Sequence, residues 1–270
     1  MNQNSILPKS IYYFFLMIIV LVFPIAVSLI VMPHTFGPAF FWPLKPFNTL
    51  FLGFFYTAEM AAVALLIKYN RWSPARFVII ASFLFTLWAT ILTLIYFKDV
   101  PFTKTWKIIL WFGLYGGSCL ITGYFLYLTR EYKMEDLMQN GWVTKGLLLV
   151  HSVFMFIHIM GLIMSPVAFS SNYWPWPLDA FSGRFYAALF ALTLFGNYLL
   201  WRGAHAREYI TYGLVLEVFG FGAVIGLLLV NGQLHKVHWD TFGTWFWVGS
   251  SLFSGFFGTY LMIRGGKSSG

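Results

Sequence analysis

The chain has 270 residues, of which 59% are hydrophobic, 21% aromatic and only 10% charged. Soluble domains carry about 45–50% apolar and about 25% charged residues, so this composition excludes a water-soluble globule and calls for lipid as the surrounding medium. The net charge of +8 is not gathered into a Lys/Arg face, which argues against nucleic acid as a partner and leaves the charges as topology signals between apolar runs.

About 20 apolar residues cross ~30 Å of hydrocarbon at 1.5 Å per residue. Runs of that kind occur at Ile11–Met32, Phe47–Ile67, Phe77–Phe97, Ile108–Leu128, Gly146–Met164, Phe181–Trp201, Tyr209–Val230 and Phe242–Ile263. They predict an all-α integral membrane protein with eight transmembrane helices. The first run has Lys9 ahead of it and Ala26-Val27-Ser28 near its end, the outline of a signal peptide, but its apolar core is too long for one.

The string W-P-L-x-x-F occurs twice, at Trp42-Pro43-Leu44-Lys45-Pro46-Phe47 and, 134 positions later, at Trp176-Pro177-Leu178-Asp179-Ala180-Phe181. Each copy follows an apolar run that ends near a proline (Pro33, Pro166) and opens another. That second run closes on a basic turn, Arg71-x3-Ala75-Arg76 in one half and Arg202-x3-Ala206-Arg207 in the other. Self-similarity of this kind indicates tandem duplication. The expected layout is a first four-helix repeat (1–130), a cytoplasmic linker (131–144) containing a short surface helix, a second four-helix repeat (145–264) and a flexible tail (265–270). Four spans per half is an even number, so the repeats are expected to be parallel, related by an axis along the membrane normal. Trp42, Pro43, Trp176 and Pro177 are expected to form membrane-interface corners. Proline fixes φ there, while each tryptophan ring sits half in lipid.

Eleven lysines and arginines fall at the termini and in the even loops, against six in or beside the odd loops. This asymmetry predicts both termini on the cytoplasmic side of a bacterial-type inner or plasma membrane. The expected partners are the lipid bilayer and, as a second candidate, another membrane protein.

Ionisable or strongly polar side chains inside lipid are functional-site candidates. Glu59, His151, His158 and Glu217 qualify, with Asn197 as a polar companion, and together they form the predicted ligand-binding set. Their alternative use is as interhelical hydrogen-bonding groups. His151 and His158 are seven residues apart, ~10 Å along a helix, too far to share one metal ion but compatible with one ligand each to two stacked cofactors. A weaker metal set is suggested by His34, His235, His238 and Asp240, imidazoles and a carboxylate on one side of the membrane. Gly113, Gly116 and Gly117, and Gly222 with Gly226, read as close-approach faces between helices. There is no phosphate-binding Gly-rich loop, no H-E-x-x-H and no C-x-x-C; the single cysteine, Cys119, forms no internal disulfide. No enzymatic signature emerges and no cofactor is specified. The functional expectation is transport or binding of a small apolar or aromatic molecule between two halves. The alternatives are a non-catalytic subunit of a larger membrane complex, or a haem- or metal-dependent redox component.

Overall fold

A helix satisfies its own backbone hydrogen bonds, and lipid offers no others. The computed structural model, which describes residues 6–98, 102, 104–134, 136–234 and 237–269, is accordingly helical nearly throughout. The helices are α1 (Lys9–Val31), α2 (Pro33–Ala39), α3 (Pro46–Tyr69), α4 (Trp72–Ile95), α5 (Thr105–Leu128), α6 (Trp142–Met164), α7 (Pro166–Tyr173), α8 (Ala180–Trp201), α9 (Ala206–Leu234) and α10 (Phe242–Ser269). Seven of them (α1, α3, α4, α5, α6, α9 and α10) are long and apolar enough to cross a membrane. The chain is therefore a polytopic membrane protein. The remaining expected span, α8, has 22 residues, but Arg184 and Asn197 dilute its hydropathy and it falls outside that set.

Two short helices, α2 and α7, were not expected. Each starts with proline at its first turn, Pro33 after Met32 and Pro166 after Ser165. There the missing N–H is one that a helix leaves unpaired anyway, and φ is preset. Each then holds the W-P-L corner that follows it. The Leu44 N–H donates to the Gly37 carbonyl at 2.9 Å, and the Leu178 N–H donates to Ser170 Oγ at 3.0 Å.

The corner tryptophans lie inside the protein and not half in lipid. Trp42, Trp174 and Trp176 are buried, while Pro43 and Pro177 are exposed. Trp42 packs edge-on against Phe40, Trp111, Phe181 and Phe185. Trp176 stacks on Phe47 at 5.2 Å and donates its Nε1–H to Asn48 Oδ1 at 2.6 Å. Lipid provides no hydrophobic drive between helices, so association depends on van der Waals packing and hydrogen bonds. Aromatic pairs that add roughly 0.5–1.5 kcal/mol each explain why these rings turn inward. Lys107, at the start of α5, is buried at the same end and donates to the carbonyls of Ala39 (2.9 Å) and Phe40, tying α5 to the open end of α2.

Within the first half, α1 packs on α3, α3 on α4 and α4 on α5; in the second, α6 packs on α8, α8 on α9 and α9 on α10. Between halves the contacts are reciprocal, α3 with α9 and α4 with α8, and α4 meets α9. α9 and α10 approach each other along their backbones. A Cβ added at Gly220 would lie 2.5 Å from the Ser251 carbonyl oxygen, and one at Gly213 would lie 2.6 Å from that of Gly258. Gly222 and Gly226 do face a neighbouring helix, through Phe54 of α3. Gly113 and Gly117 do not: nothing lies within 4 Å of a Cβ at either, and Gly116 touches only Thr90 at 4.0 Å. That face of α5 points away from the bundle, which a glycine spacing by itself does not reveal.

The expected linker helix is absent among the described residues. Leu137–Met138 forms a short strand, β1, antiparallel to β2 (Ala204–His205). Asn140 explains the choice. Its Nδ2 donates to the Leu200 carbonyl at 2.6 Å, which also accepts the Gly203 N–H at the end of α8, and its Oδ1 accepts from the Tyr209 hydroxyl. Anchored in this way, the segment cannot also coil. The expected flexible tail is likewise helical through Ser269, where Gly265 lets α10 approach the start of α9, a Cβ there lying 2.6 Å from the Ala206 carbonyl oxygen.

At this end an ion pair joins the halves. Arg76 Nε and Nη2 donate to the two carboxylate oxygens of Glu208, both at 2.8 Å, and Glu208 is only 1% exposed. The His205 N–H adds a third bond to Glu208, at 3.1 Å. Removing one partner of a buried pair strands the other charge at about 3–5 kcal/mol. Arg76→Met should therefore lower unfolding stability in nanodiscs by roughly that amount, and pairing it with Glu208→Leu should recover most of the loss. Equal stability of Arg76→Met and the parent would remove this pair from the account.

Burial lowers the His205 pKa below its ordinary value, Arg207 acts in the same direction, and Glu208 and Asp136 oppose them. Neutral His205 accepts the Arg207 N–H at Nδ1, at 3.1 Å. A histidine whose folded pKa lies below the unfolded one, about 6.5, adds stability above that pH and loses it as pH falls further. The melting temperature should drop on acidification below about pH 6.5, and the drop should shrink in His205→Gln.

Candidate functional site

A cavity of about 160 Å³ lies between the halves, walled by α1, α3, α4 and α5 on one side and by α8 and α9 on the other. Its origin is readable helix by helix. On α3, Tyr56, Glu59, Met60 and Val63 recur at spacings of three and four, which places them on one face. On α5, Tyr115, Ser118 and Thr122 do the same, and on α4 so do Ser82, Phe85 and Thr86. Each helix thus turns a narrow polar stripe inward along an otherwise apolar span.

Most of that polarity is already used. Thr86 donates to the Ser82 carbonyl at 2.7 Å and Thr122 to the Ser118 carbonyl at 2.6 Å, the usual back-bonds of hydroxyls within a helix. The Tyr56 and Tyr115 hydroxyls bond to each other across the α3–α5 gap, and Glu59 lies within electrostatic reach of both. In such a pair one phenol donates to the other, and the second keeps a free O–H. Glu59 itself makes no hydrogen bond or ion pair among the described residues, and no lysine, arginine or histidine lines the cavity. The site therefore consists of one carboxylate and one phenol pair in an aromatic and aliphatic chamber.

The other expected site residues lie elsewhere. His151 is fully buried on α6, with Nδ1 3.1 Å from Asn197 Oδ1 and Nε2 2.9 Å from Ser254 Oγ. Asn197 also donates to Ser152 Oγ at 3.0 Å and accepts from the Tyr212 hydroxyl at 2.7 Å. Ser254 Oγ also donates to the Ser250 carbonyl at 2.9 Å, so the ring is held from both nitrogens by groups that are themselves anchored. The result is a polar clasp of α6, α8, α9 and α10, touching the cavity only through the Tyr212 ring. His158 is flanked by Phe190 at 4.8 Å and Phe246 at 5.4 Å, nearly parallel to both, with Nδ1 donating to the Phe154 carbonyl at 2.7 Å. No hydrogen bond or ion pair joins it to Glu59. Glu217 is half-buried on α9 and does not line the cavity.

Among the candidate metal residues, His34 lies in the first turn of α2, His238 and Asp240 lie between α9 and α10, and His235 lies outside the described residues. Among the described residues, no three metal-capable side chains come together. Tyr56 and Tyr115 are the site residues that sequence reasoning missed. The signal for both was a tyrosine three residues from another polar group on the same helical face, Glu59 in one case and Ser118 in the other.

The chain matches no known protein family, no curated protein and no solved structure.

The clasp gives a direct expectation. Asn197→Leu would leave His151 Nδ1 without its partner, while the Ser152 and Tyr212 hydroxyls keep their bonds to the Leu148 and Thr193 carbonyls; a buried group so stranded costs about 1–3 kcal/mol. Denaturant unfolding in nanodiscs should show a loss of at least that size. An unchanged midpoint would mean that the four helices hold together without it.

Proposed function

We propose that this membrane protein binds, and carries, a small apolar or aromatic molecule in the cavity between two four-helix halves. The observation that supports this reading is the cavity itself. Both halves contribute walls, its lining is predominantly aromatic and aliphatic, and its only carboxylate is unpaired among the described residues. Binding sites for small ligands have this character, an apolar pocket with a few convergent polar groups.

The reading includes eight spans in two parallel repeats, with α8 crossing beside its seven neighbours. The matched short helices, the matched corner hydrogen bonds and the reciprocal α3–α9 and α4–α8 contacts support it. It also includes cytoplasmic termini, on the charge asymmetry of the loops. A second reading, a non-catalytic subunit of a larger complex, is favoured by the outward Gly113 and Gly117 face of α5; stoichiometric co-purification with another membrane protein would support it. The haem or metal reading gains no such support, since both His151 nitrogens are engaged and His158 is packed between phenyl rings.

Two measurements test the proposal. Naphthalene binding to the protein in nanodiscs should weaken at least tenfold, about 1.4 kcal/mol, in Ser82→Phe, which fills the cavity from α4, with thermal stability retained. Equal binding by the parent and the variant would place the ligand elsewhere. For topology, single cysteines at the exposed residues Asn172 and Gln139, in a background lacking Cys119, should react with an impermeant reagent from opposite sides of the membrane. Reaction of both from one side would overturn the eight-span arrangement.

A further inference from the structure

Three observations narrow the ligand. First, Glu59 lies on a middle turn of α3 and has neither cation nor hydrogen-bond donor among the described residues, so its partner must come from the ligand. Second, aromatic rings line the same cavity: Phe55, Phe77, Phe85 and Phe219, with Tyr56 and Tyr115 within electrostatic reach of the carboxyl group. Ring faces attract organic cations within about 6 Å, more strongly once water is excluded. Third, the chamber lacks a helical wall on one side. α1 and α5 both line it, yet they do not pack along their lengths. Among the described residues, Phe14 of α1 meets Phe125 of α5 at 5.4 Å near one end, and at the other Lys107 of α5 is bound to the end of α2. The corresponding helices of the second half, α6 and α10, do pack, with Thr144 bonded to Tyr260 and His151 to Ser254.

We propose that the cavity takes an organic ammonium group carried on an apolar body, paired with Glu59 and boxed by the surrounding rings, and that this ligand enters from the lipid between α1 and α5. The proposal rests on the binding reading above and specifies its ligand. The alternatives fit less well. A wholly apolar ligand leaves the Glu59 carboxyl without a partner, and an anion meets it with like charge. A hard metal ion needs several oxygen ligands, anionic ones above all, whereas the lining offers one carboxylate beside neutral hydroxyls. An ammonium needs one counter-charge and aromatic faces, and both are present.

The test uses the full-length protein in nanodiscs and a matched pair of probes, benzyltrimethylammonium and its uncharged carbon isostere neopentylbenzene, measured by calorimetric titration. The expected result is that the cation binds at least tenfold more tightly than the isostere and loses that advantage in Glu59→Gln. Gln keeps the shape of the side chain, and the melting curve of the variant should match the parent. Hexadecyltrimethylammonium at low mole fraction in the disc should compete with the small cation, as lateral entry requires. If both probes bind equally and Glu59→Gln changes nothing, the ammonium proposal falls and the apolar-binding reading stands. If neither probe binds, both fall. Failure of the long-chain competitor alone overturns entry from the lipid.

Discussion

The bidentate pair of Arg76 and Glu208 and the buried tryptophan corners clamp the two halves at opposite ends of the bundle, and the cavity exists because contact is enforced there. At the loop end, Arg76 of α4 is held by the carboxylate at the start of α9. At the other end, Trp42 of the first corner packs against Phe181 and Phe185 of α8, and Trp176 of the second packs against Phe47 and Phe51 of α3. Each corner therefore closes on the other half. Between the clamps a chamber is left beside the packed α3–α9 pair.

Lipid makes this division of labour necessary. Apolar side chains gain little by leaving lipid for one another, so the bundle is held where specific geometry exists. Gly213 and Gly220 let α9 and α10 touch along their backbones, and Lys107 saturates the open carbonyls of α2. His151 and Asn197 join α6, α8 and α10 through hydrogen bonds that have no competitor in lipid. Where none of these devices occurs, between α1 and α5, there is space.

The helices and the two corners were legible because they rest on local signals, apolar run length and a repeated proline string. The burial of the corner tryptophans was not legible. Interfacial and inward-facing tryptophans look alike until the partners are known, here Phe47, Phe181 and Trp247 from distant parts of the chain. Arg76 read as a topology signal because its partner, Glu208, lies 132 positions away. Glu59 stood out by itself, whereas Tyr56 and Tyr115 did not, since a tyrosine in an aromatic-rich span carries no mark until another hydroxyl meets it. Gly113 and Gly117 show the opposite error. Their spacing resembles a packing face, but spacing cannot tell whether a neighbouring helix is there.

The two halves share a helical order and part ways in what fills them. In the second half, the space between α6 and α10 is taken up by the Thr144–Tyr260 and His151–Ser254 bonds and by Phe154 packed against Phe246 and Phe253. In the first, α1 presents Ile18 and Val22, and α5 presents Tyr115, Ser118 and Thr122. No bond joins α1 to α5 at mid-depth among the described residues. The gap between α6 and α10 is thus bridged by hydrogen bonds, while the one between α1 and α5 is not bridged at mid-depth among the described residues. The polar residues divide in the same way. In the second half His151, Ser152, Asn197, Tyr212 and Ser254 bond to one another, whereas Glu59, in the first, makes no hydrogen bond or ion pair among the described residues.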